Sequence, residues 1–115
     1  MTIARRSFRL SLGFAALAVA CLLTLPVQAQ DSGEKTYKAK CAACHGADGA
    51  GTGAGKAMKA RDFCSDDVKK ETAAEMTDII VKGKNKMPSY DKKLSDAEVK
   101  DVVAYIKGLC KKQSS

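Results

Sequence analysis

The segment Cys41-Ala42-Ala43-Cys44-His45 constrains this chain more than any other stretch. Two thiols three positions apart can each add across a vinyl group of one haem, and the imidazole directly after the second thiol then falls beneath the iron. The two thioethers fix the plane of the macrocycle, so His45 becomes a proximal ligand that cannot drift away. His45 is also the only histidine in the sequence. Cys41 and Cys44 are therefore read as covalent attachment points and His45 as an axial ligand. A fold built on this segment has to wrap a large flat group.

The 115 residues allow one domain at most. Arg5, Arg6 and Arg9 form a basic start, Leu10 to Leu25 is an apolar run, and Pro26 breaks it. Val27-Gln28-Ala29 then places small residues where a signal peptidase reads. Residues 1–29 are read as a signal peptide cut after Ala29, and 30–115 as the mature domain of about 86 residues. An uncleaved anchor is the alternative, because the apolar run approaches the length of a membrane span. A lipoprotein reading at Cys21 fails because the residues after it stay apolar. A twin-arginine reading at Arg5-Arg6 suits proteins folded before export, whereas haem attachment suits an unfolded secreted chain. Export through the general route to the periplasm is the expectation.

The leader holds three arginines and no acids, so the formal charge of +7 falls to about +4. That balance permits docking to acidic partners. Nucleic-acid binding is not indicated, since no aromatic residues are interleaved with the lysines for stacking. A chain this short has little core to bury. With no Trp and three residues each of Phe and Tyr, a large apolar cofactor would supply the missing volume. Removing Cys21 leaves Cys41, Cys44, Cys64 and Cys110. Cys64 and Cys110 are expected to pair in an oxidising compartment, contributing about 3–4 kcal/mol by loop closure. The alternative is two small buried thiols.

Asp31 with Glu34 resembles a capping box opening a first helix from about Gly33 into the haem segment, with Tyr37 its one large apolar residue. Gly33 is costly to helix propensity unless another backbone approaches closely, which suggests a helix crossing. The glycine-rich run from Gly46 to Gly55 followed by Lys56 invites a phosphate-loop reading. That reading needs Gly at 50 and Ser or Thr at 57, and both are Ala. A tight backbone beside a flat ligand is the better account, with a solvated tip. A short helix opens at Ser65. Thr72 with Glu75 is a capping box before Ala73, Met76, Ile79 and Ile80 at helical spacing, and Gly83 is a C-cap. Lys84 to Tyr90 reads as a loop. Ser95 with Glu98 opens a last helix with apolar face Val99, Val102, Val103, Ile106 and Leu109, ending at Gly108 and the lysine-rich tail. No strand pattern and no internal repeat is present. The fold class is all-α, three to five helices wrapped around one haem.

With no second histidine, the other axial position falls to Met, Lys, Tyr, water or nothing. Met76 sits on an apolar helical stripe and reads as core; Met58 follows the glycine-rich run in a weak helical pattern. Met87 lies in a loop between two capped helices, and Pro88 restrains it to an extended backbone. That suits a thioether presented to an iron, so Met87 is read as the second axial ligand. An exposed loop methionine is the alternative.

These residues resemble a small bacterial class I c-type cytochrome over the whole mature chain. The likeness is carried by Gly33 and Tyr37, by Cys41, Cys44 and His45, by the glycines after them, by Lys84-Asn85-Lys86-Met87-Pro88 and by Val102 to Tyr105. The resemblance implies that the first and last helices cross steeply, with Gly33, Tyr37 and Tyr105 at the contact. Relatives commonly carry a proline after the haem segment whose carbonyl accepts a hydrogen bond from the proximal imidazole. This chain has none between Pro26 and Pro88, so another carbonyl in the 46–60 region is expected to orient His45.

The expected function is a soluble periplasmic one-electron carrier holding one covalent haem c with His45 and Met87 on the iron. It would be a monomer and no enzyme, meeting other redox proteins in transient docking without stable membrane insertion. Lys56, Lys84, Lys86, Lys92 and Lys93 would frame the haem edge and steer acidic partners. A haem subunit of a larger membrane-associated redox complex is the closest alternative. An enzyme would need an open axial site. A zinc site from Cys41, Cys44, Cys64, Cys110 and His45 conflicts with the leader, and a thioredoxin-like motif needs an absent β–α pattern.

Overall fold

The computed structural model describes residues 27–113. The segment read as a leader, apart from its last three residues, lies outside them. Six helices make up the described chain: α1 (Val27–Lys40), α2 (Ala42–His45), α3 (Gly53–Ala57), α4 (Asp66–Lys69), α5 (Ala73–Lys82) and α6 (Asp96–Gln113). The all-α class stands, with one isolated β-bridge between Lys84 and Met87.

The core forms where α1 and α5 pack against α6. Val99, Val102, Val103, Ile106 and Leu109 recur at i, i+3, i+4, i+7 on α6 and are all buried. Met76 and Ile80 from α5, Val68 from α4 and Tyr37 from α1 complete the cluster. The α1–α6 crossing is as close as the glycine suggested. A Cβ at Gly33 would collide with the Asp101 carbonyl on α6 and lie 3.0 Å from Tyr105 Cβ. Tyr37 is fully buried beside it, its ring centroid 5.2 Å from that of Tyr105. The Tyr37 hydroxyl donates to the Gly46 carbonyl at 2.7 Å, which satisfies a group whose burial alone would be unfavourable.

The capping boxes at the starts of α5 and α6 are both closed. The Thr72 hydroxyl accepts from the Glu75 N–H while the Glu75 carboxylate accepts from the Thr72 N–H. Ser95 and Glu98 exchange the same pair. Gly83 ends α5 at φ 76°, its N–H donating to the Ile79 carbonyl at 2.8 Å.

Two expectations are corrected. Asp31 does not cap a helix start, because α1 runs unbroken from Val27 and Glu34 instead pairs with Lys38 one turn on. The last helix does not stop at Gly108 but continues to Gln113. Leu109 is buried beyond that glycine, Cys110 is bonded to Cys64, and the Gln113 side-chain amide donates to the Asp48 carbonyl. These contacts outweigh the roughly 1 kcal/mol that a glycine costs in a helix. The tip of the glycine-rich run is solvated as expected, with Ala47, Asp48, Gly53 and Ala54 exposed, and Thr52 caps the single turn of α3 by accepting from the Gly55 N–H.

Because the crossing leaves no room for a side chain, Gly33→Val should lower the stability of the holoprotein by about 1–3 kcal/mol. The expected reading is a lower denaturant midpoint at unchanged slope.

Candidate cofactor site

The haem segment is joined to the end of α1 through Cys41, the turn residue between α1 and α2. The Cys41 N–H donates to the Tyr37 carbonyl at 2.9 Å, and the His45 N–H to the Cys41 carbonyl at 2.9 Å. Helical spacing then puts Cys41, Cys44 and His45, at i, i+3 and i+4, on one face. Gly46 at φ 77° turns the chain back. The Gly51 N–H reaches the His45 carbonyl and the Thr52 N–H the Cys44 carbonyl, at 2.8 and 2.9 Å. The Thr52 hydroxyl also donates to the Ala43 carbonyl at 2.8 Å. Gly55 on α3 lies so close to Cys44 that a Cβ there would overlap its carbonyl oxygen. The glycines thus fold the chain onto the back of the attachment segment and lock it.

On the opposite side, Gly83 leads into a closed turn. The Met87 N–H donates to the Lys84 carbonyl and the Lys84 N–H to the Met87 carbonyl, at 2.9 and 3.2 Å. Asn85, at φ 54°, takes the left-handed conformation that this turn requires and that Asn tolerates. After Pro88 the chain is tied to α5: the Ser89 hydroxyl and the Asp91 N–H donate to the Val81 carbonyl, and the Tyr90 N–H to that of Ile80. The Tyr90 hydroxyl donates to the Lys40 carbonyl at 2.9 Å. That bond joins the methionine loop to the last residue of α1, beside Cys41.

Between these two walls lies a cavity of about 430 Å³, lined by Cys41, Cys44, His45 and Met87 together. Val68, Ile79, Ile80, Leu94 and Ile106 make its apolar surface. Its volume is that of an ordinary ligand site. Met58 and Met76 also border it. Met76 is in the buried core, as its helical stripe indicated, while Met58 is 39% exposed. The cavity suits a haem: it is apolar, has both thiols and the imidazole on one face, and offers a half-buried thioether from the other side.

Burial sets the electrostatics. It pushes the Cys41 thiol up to about 11, so that this group stays a thiol at neutral pH. It lowers the His45 imidazole, which favours the neutral form whose lone pair can bind a metal. No carbonyl from the 46–60 region reaches that ring. His45 Nδ1 is buried and has no hydrogen-bond partner among the described residues. The Phe63 ring instead stacks on the imidazole, centroids 4.4 Å apart and planes 17° from parallel.

Of the lysines expected around the edge, Lys84 and Lys86 border the cavity, and Lys56, Lys92 and Lys93 do not. Lys93 lies over the Tyr90 ring, 5.8 Å from its centroid. Lys40, Lys59 and Arg61 take their places. Arg61 is held by Glu71 at 2.7 Å. The zinc alternative fails on geometry, since Cys64 and Cys110 are joined to each other with Cα atoms 5.3 Å apart. No cluster of three or more candidate ligands for a bare metal ion occurs among the described residues.

Comparison with known proteins agrees with this arrangement. The family model described as cytochrome c oxidase, cbb3-type, subunit III matches residues 28–106. Cytochrome c6 from Pyropia yezoensis is 31% identical over 99 residues, covering 83% of this chain and 78% of its own. Cytochrome c6 from a Synechococcus species is 31% identical over 90 residues, covering 73% and 75%. Among solved structures, the KustC0563 c-type cytochrome superposes with a TM-score of 0.64 at 32% identity, over 67% of this chain and 95% of its own. The relatives are electron-carrier cytochromes. A single attachment segment, an apolar cavity with thioether and imidazole on its walls, and these likenesses place the chain in the c-type cytochrome family, as a small monohaem class I member with a covalent haem c.

Proposed function

We propose that this protein is a soluble, monomeric, periplasmic one-electron carrier. Cys41 and Cys44 hold the haem by thioether bonds, and His45 and Met87 are its axial ligands. The observation that carries this reading is the convergence of all four side chains on one apolar cavity. Met87 is favoured over the other two methionines at the cavity on burial and placement. Met76 is fixed in the core by α5, and Met58 sits on the exposed rim, whereas Met87 is half-buried on a closed turn. When bound, the haem takes up and releases one electron at its iron. His45 and Met87 would together leave the iron no coordination site for a substrate, which is why the protein is read as a carrier and not an enzyme.

The residues around the cavity serve that task. Apolar walls exclude water and neutral Met sulfur favours the ferrous state. Lys40, Lys59, Lys84 and Lys86 leave a positive rim through which an acidic redox partner can be steered. Periplasmic location is supported by the leader pattern and by the Cys64–Cys110 bond, which suits an oxidising compartment. The description of the matching family as an oxidase subunit favours one second reading, a haem module fixed to a membrane complex. No described helix is long and apolar enough to cross a membrane. Fractionation separates the two, since a carrier is released with the periplasmic contents and a fixed module stays with the membranes.

In Met87→Ala the haem should remain covalent, but the sulfur-to-iron charge-transfer band of the oxidised protein should vanish. The midpoint potential should fall by a sizeable part of the roughly 0.8 V span that axial ligands control. Met58→Leu should leave both unchanged. Electron exchange with an acidic redox protein should slow by roughly tenfold on going from low to high salt. Lys84→Glu with Lys86→Glu should remove most of that dependence, and a salt-independent wild-type rate would contradict the steering. Mass spectrometry of the exported protein should report covalent haem, loss of the leader and loss of two hydrogens for the disulfide. Replacing Cys64 and Cys110 together by Ala should cost about 3–4 kcal/mol of stability.

A further inference from the structure

The resemblance implies that a proline after the haem segment commonly orients the proximal imidazole, and this chain has none between Pro26 and Pro88. His45 Nδ1 is nevertheless sealed from solvent and unpartnered among the described residues. A buried polar group left so costs about 1–3 kcal/mol, and something else must fix the ring. Phe63 meets that need. Its ring lies nearly parallel to the imidazole at 4.4 Å, close enough to cover one face of it and to prevent rotation about the Cβ–Cγ bond.

Phe63 is itself immobilised from several directions. Its N–H donates to the Gly49 carbonyl at 3.0 Å. Its ring meets Tyr37 edge-on at 6.3 Å, and Tyr37 is the buried anchor of the helix crossing. Gly49 faces it without a side chain, where a Cβ would stand 2.9 Å from Phe63 Cδ2. The next residue, Cys64, is bonded to Cys110 on α6. The ring that covers His45 is thus tied to both long helices.

We propose that Phe63 is the positioning residue for the proximal ligand: ring stacking takes the role that a backbone hydrogen bond plays in the resembling proteins. The inference rests on the reading of His45 as an axial ligand. It has a chemical consequence. A hydrogen bond from Nδ1 to a carbonyl makes the imidazole a stronger donor and stabilises ferric iron; without it the imidazole is a weaker donor and the ferrous state gains. Phe63 therefore keeps His45 oriented while leaving the potential high, in the same direction as Met sulfur.

The test is made on the holoprotein. By nuclear magnetic resonance, the His45 ring protons should be shifted by the haem, should contact Phe63 ring protons, and the Nδ1 proton should show no coupling to a carbonyl. Absence of haem-shifted His45 resonances would overturn the ligand reading and this inference with it. Shifted resonances with no Phe63 contact, or with a carbonyl-bonded Nδ1 proton, would overturn this inference alone. Phe63→Leu keeps apolar volume but removes the stack, admitting water to Nδ1. It should speed exchange of the Nδ1 proton and move the redox equilibrium with a reference couple roughly tenfold toward the ferric form. Phe63→Tyr retains the ring and should restore both. A folded Phe63→Leu with unchanged exchange and equilibrium would refute the role, and the wild-type resonances decide the matter if that variant does not fold.

Discussion

The contact on which the molecule depends is the crossing of α1 over α6 at Gly33. There the backbone of one long helix rests on the Asp101 carbonyl of the other, and no residue with a side chain fits between them. Tyr37, one turn later on α1, is buried in the same contact and reaches across to the Gly46 carbonyl. The distance from helix crossing to attachment segment is therefore set by a rigid aromatic ring and a 2.7 Å hydrogen bond. Because the Cys41 N–H is bonded to the Tyr37 carbonyl of α1 and the His45 N–H to the Cys41 carbonyl, the segment is aimed by that crossing. A small domain with few aromatic residues gains its precision here, by placing them at the joint.

The two sides of the cavity are held by different means. Behind His45, Gly49 leaves room for the Phe63 ring, and Gly55 brings backbone onto the backbone of Cys44. That packing has no side-chain freedom to lose. Opposite, Met87 sits on a turn closed by paired backbone bonds and strapped to the ends of α5 and α1 through Ser89, Tyr90 and Asp91. The Tyr90–Lys40 bond closes the ring of elements around the cavity without crossing it. An apolar cavity between two such walls would be poorly stable if empty, since its lining lacks contacts on one side. A covalently held haem supplies them, which explains how nine buried apolar residues among those described suffice as this domain's own core.

Much of this was legible in the sequence where a local rule acts alone. Thr72 with Glu75 and Ser95 with Glu98 fix helix starts through bonds spanning three residues, and both are present. The apolar period of α6 likewise names the buried face. The failures share a cause. Asp31 had every mark of a cap, but the chain before it is also helical, and a cap works only at an end. Gly108 had every mark of a stop, but tertiary bonds at Leu109, Cys110 and Gln113 carry the helix through it. That Cys41, Cys44, His45 and Met87 would border one cavity was readable from spacing and from Pro88. Lys40, Lys59 and Arg61 were not, because their approach to the cavity follows from tertiary folding and not from periodicity. Phe63 carried no signal at all: eighteen residues from His45, it becomes a neighbour only when the glycine run folds back.

Electron exchange is fast when oxidation changes little in the position of the iron's ligands. Each ligand must therefore be held by contacts that do not themselves respond to charge. A hydrogen bond to the proximal imidazole would strengthen as the iron lost an electron, coupling the protein to the redox step. An apolar ring against that imidazole has no such response. Met87, neutral and carried on a turn closed by backbone bonds, would as the proposed second ligand share this indifference. The cations lie at the rim, where water screens them and a partner can meet them. Charge is thereby kept for recognition, and the ligands are positioned by packing.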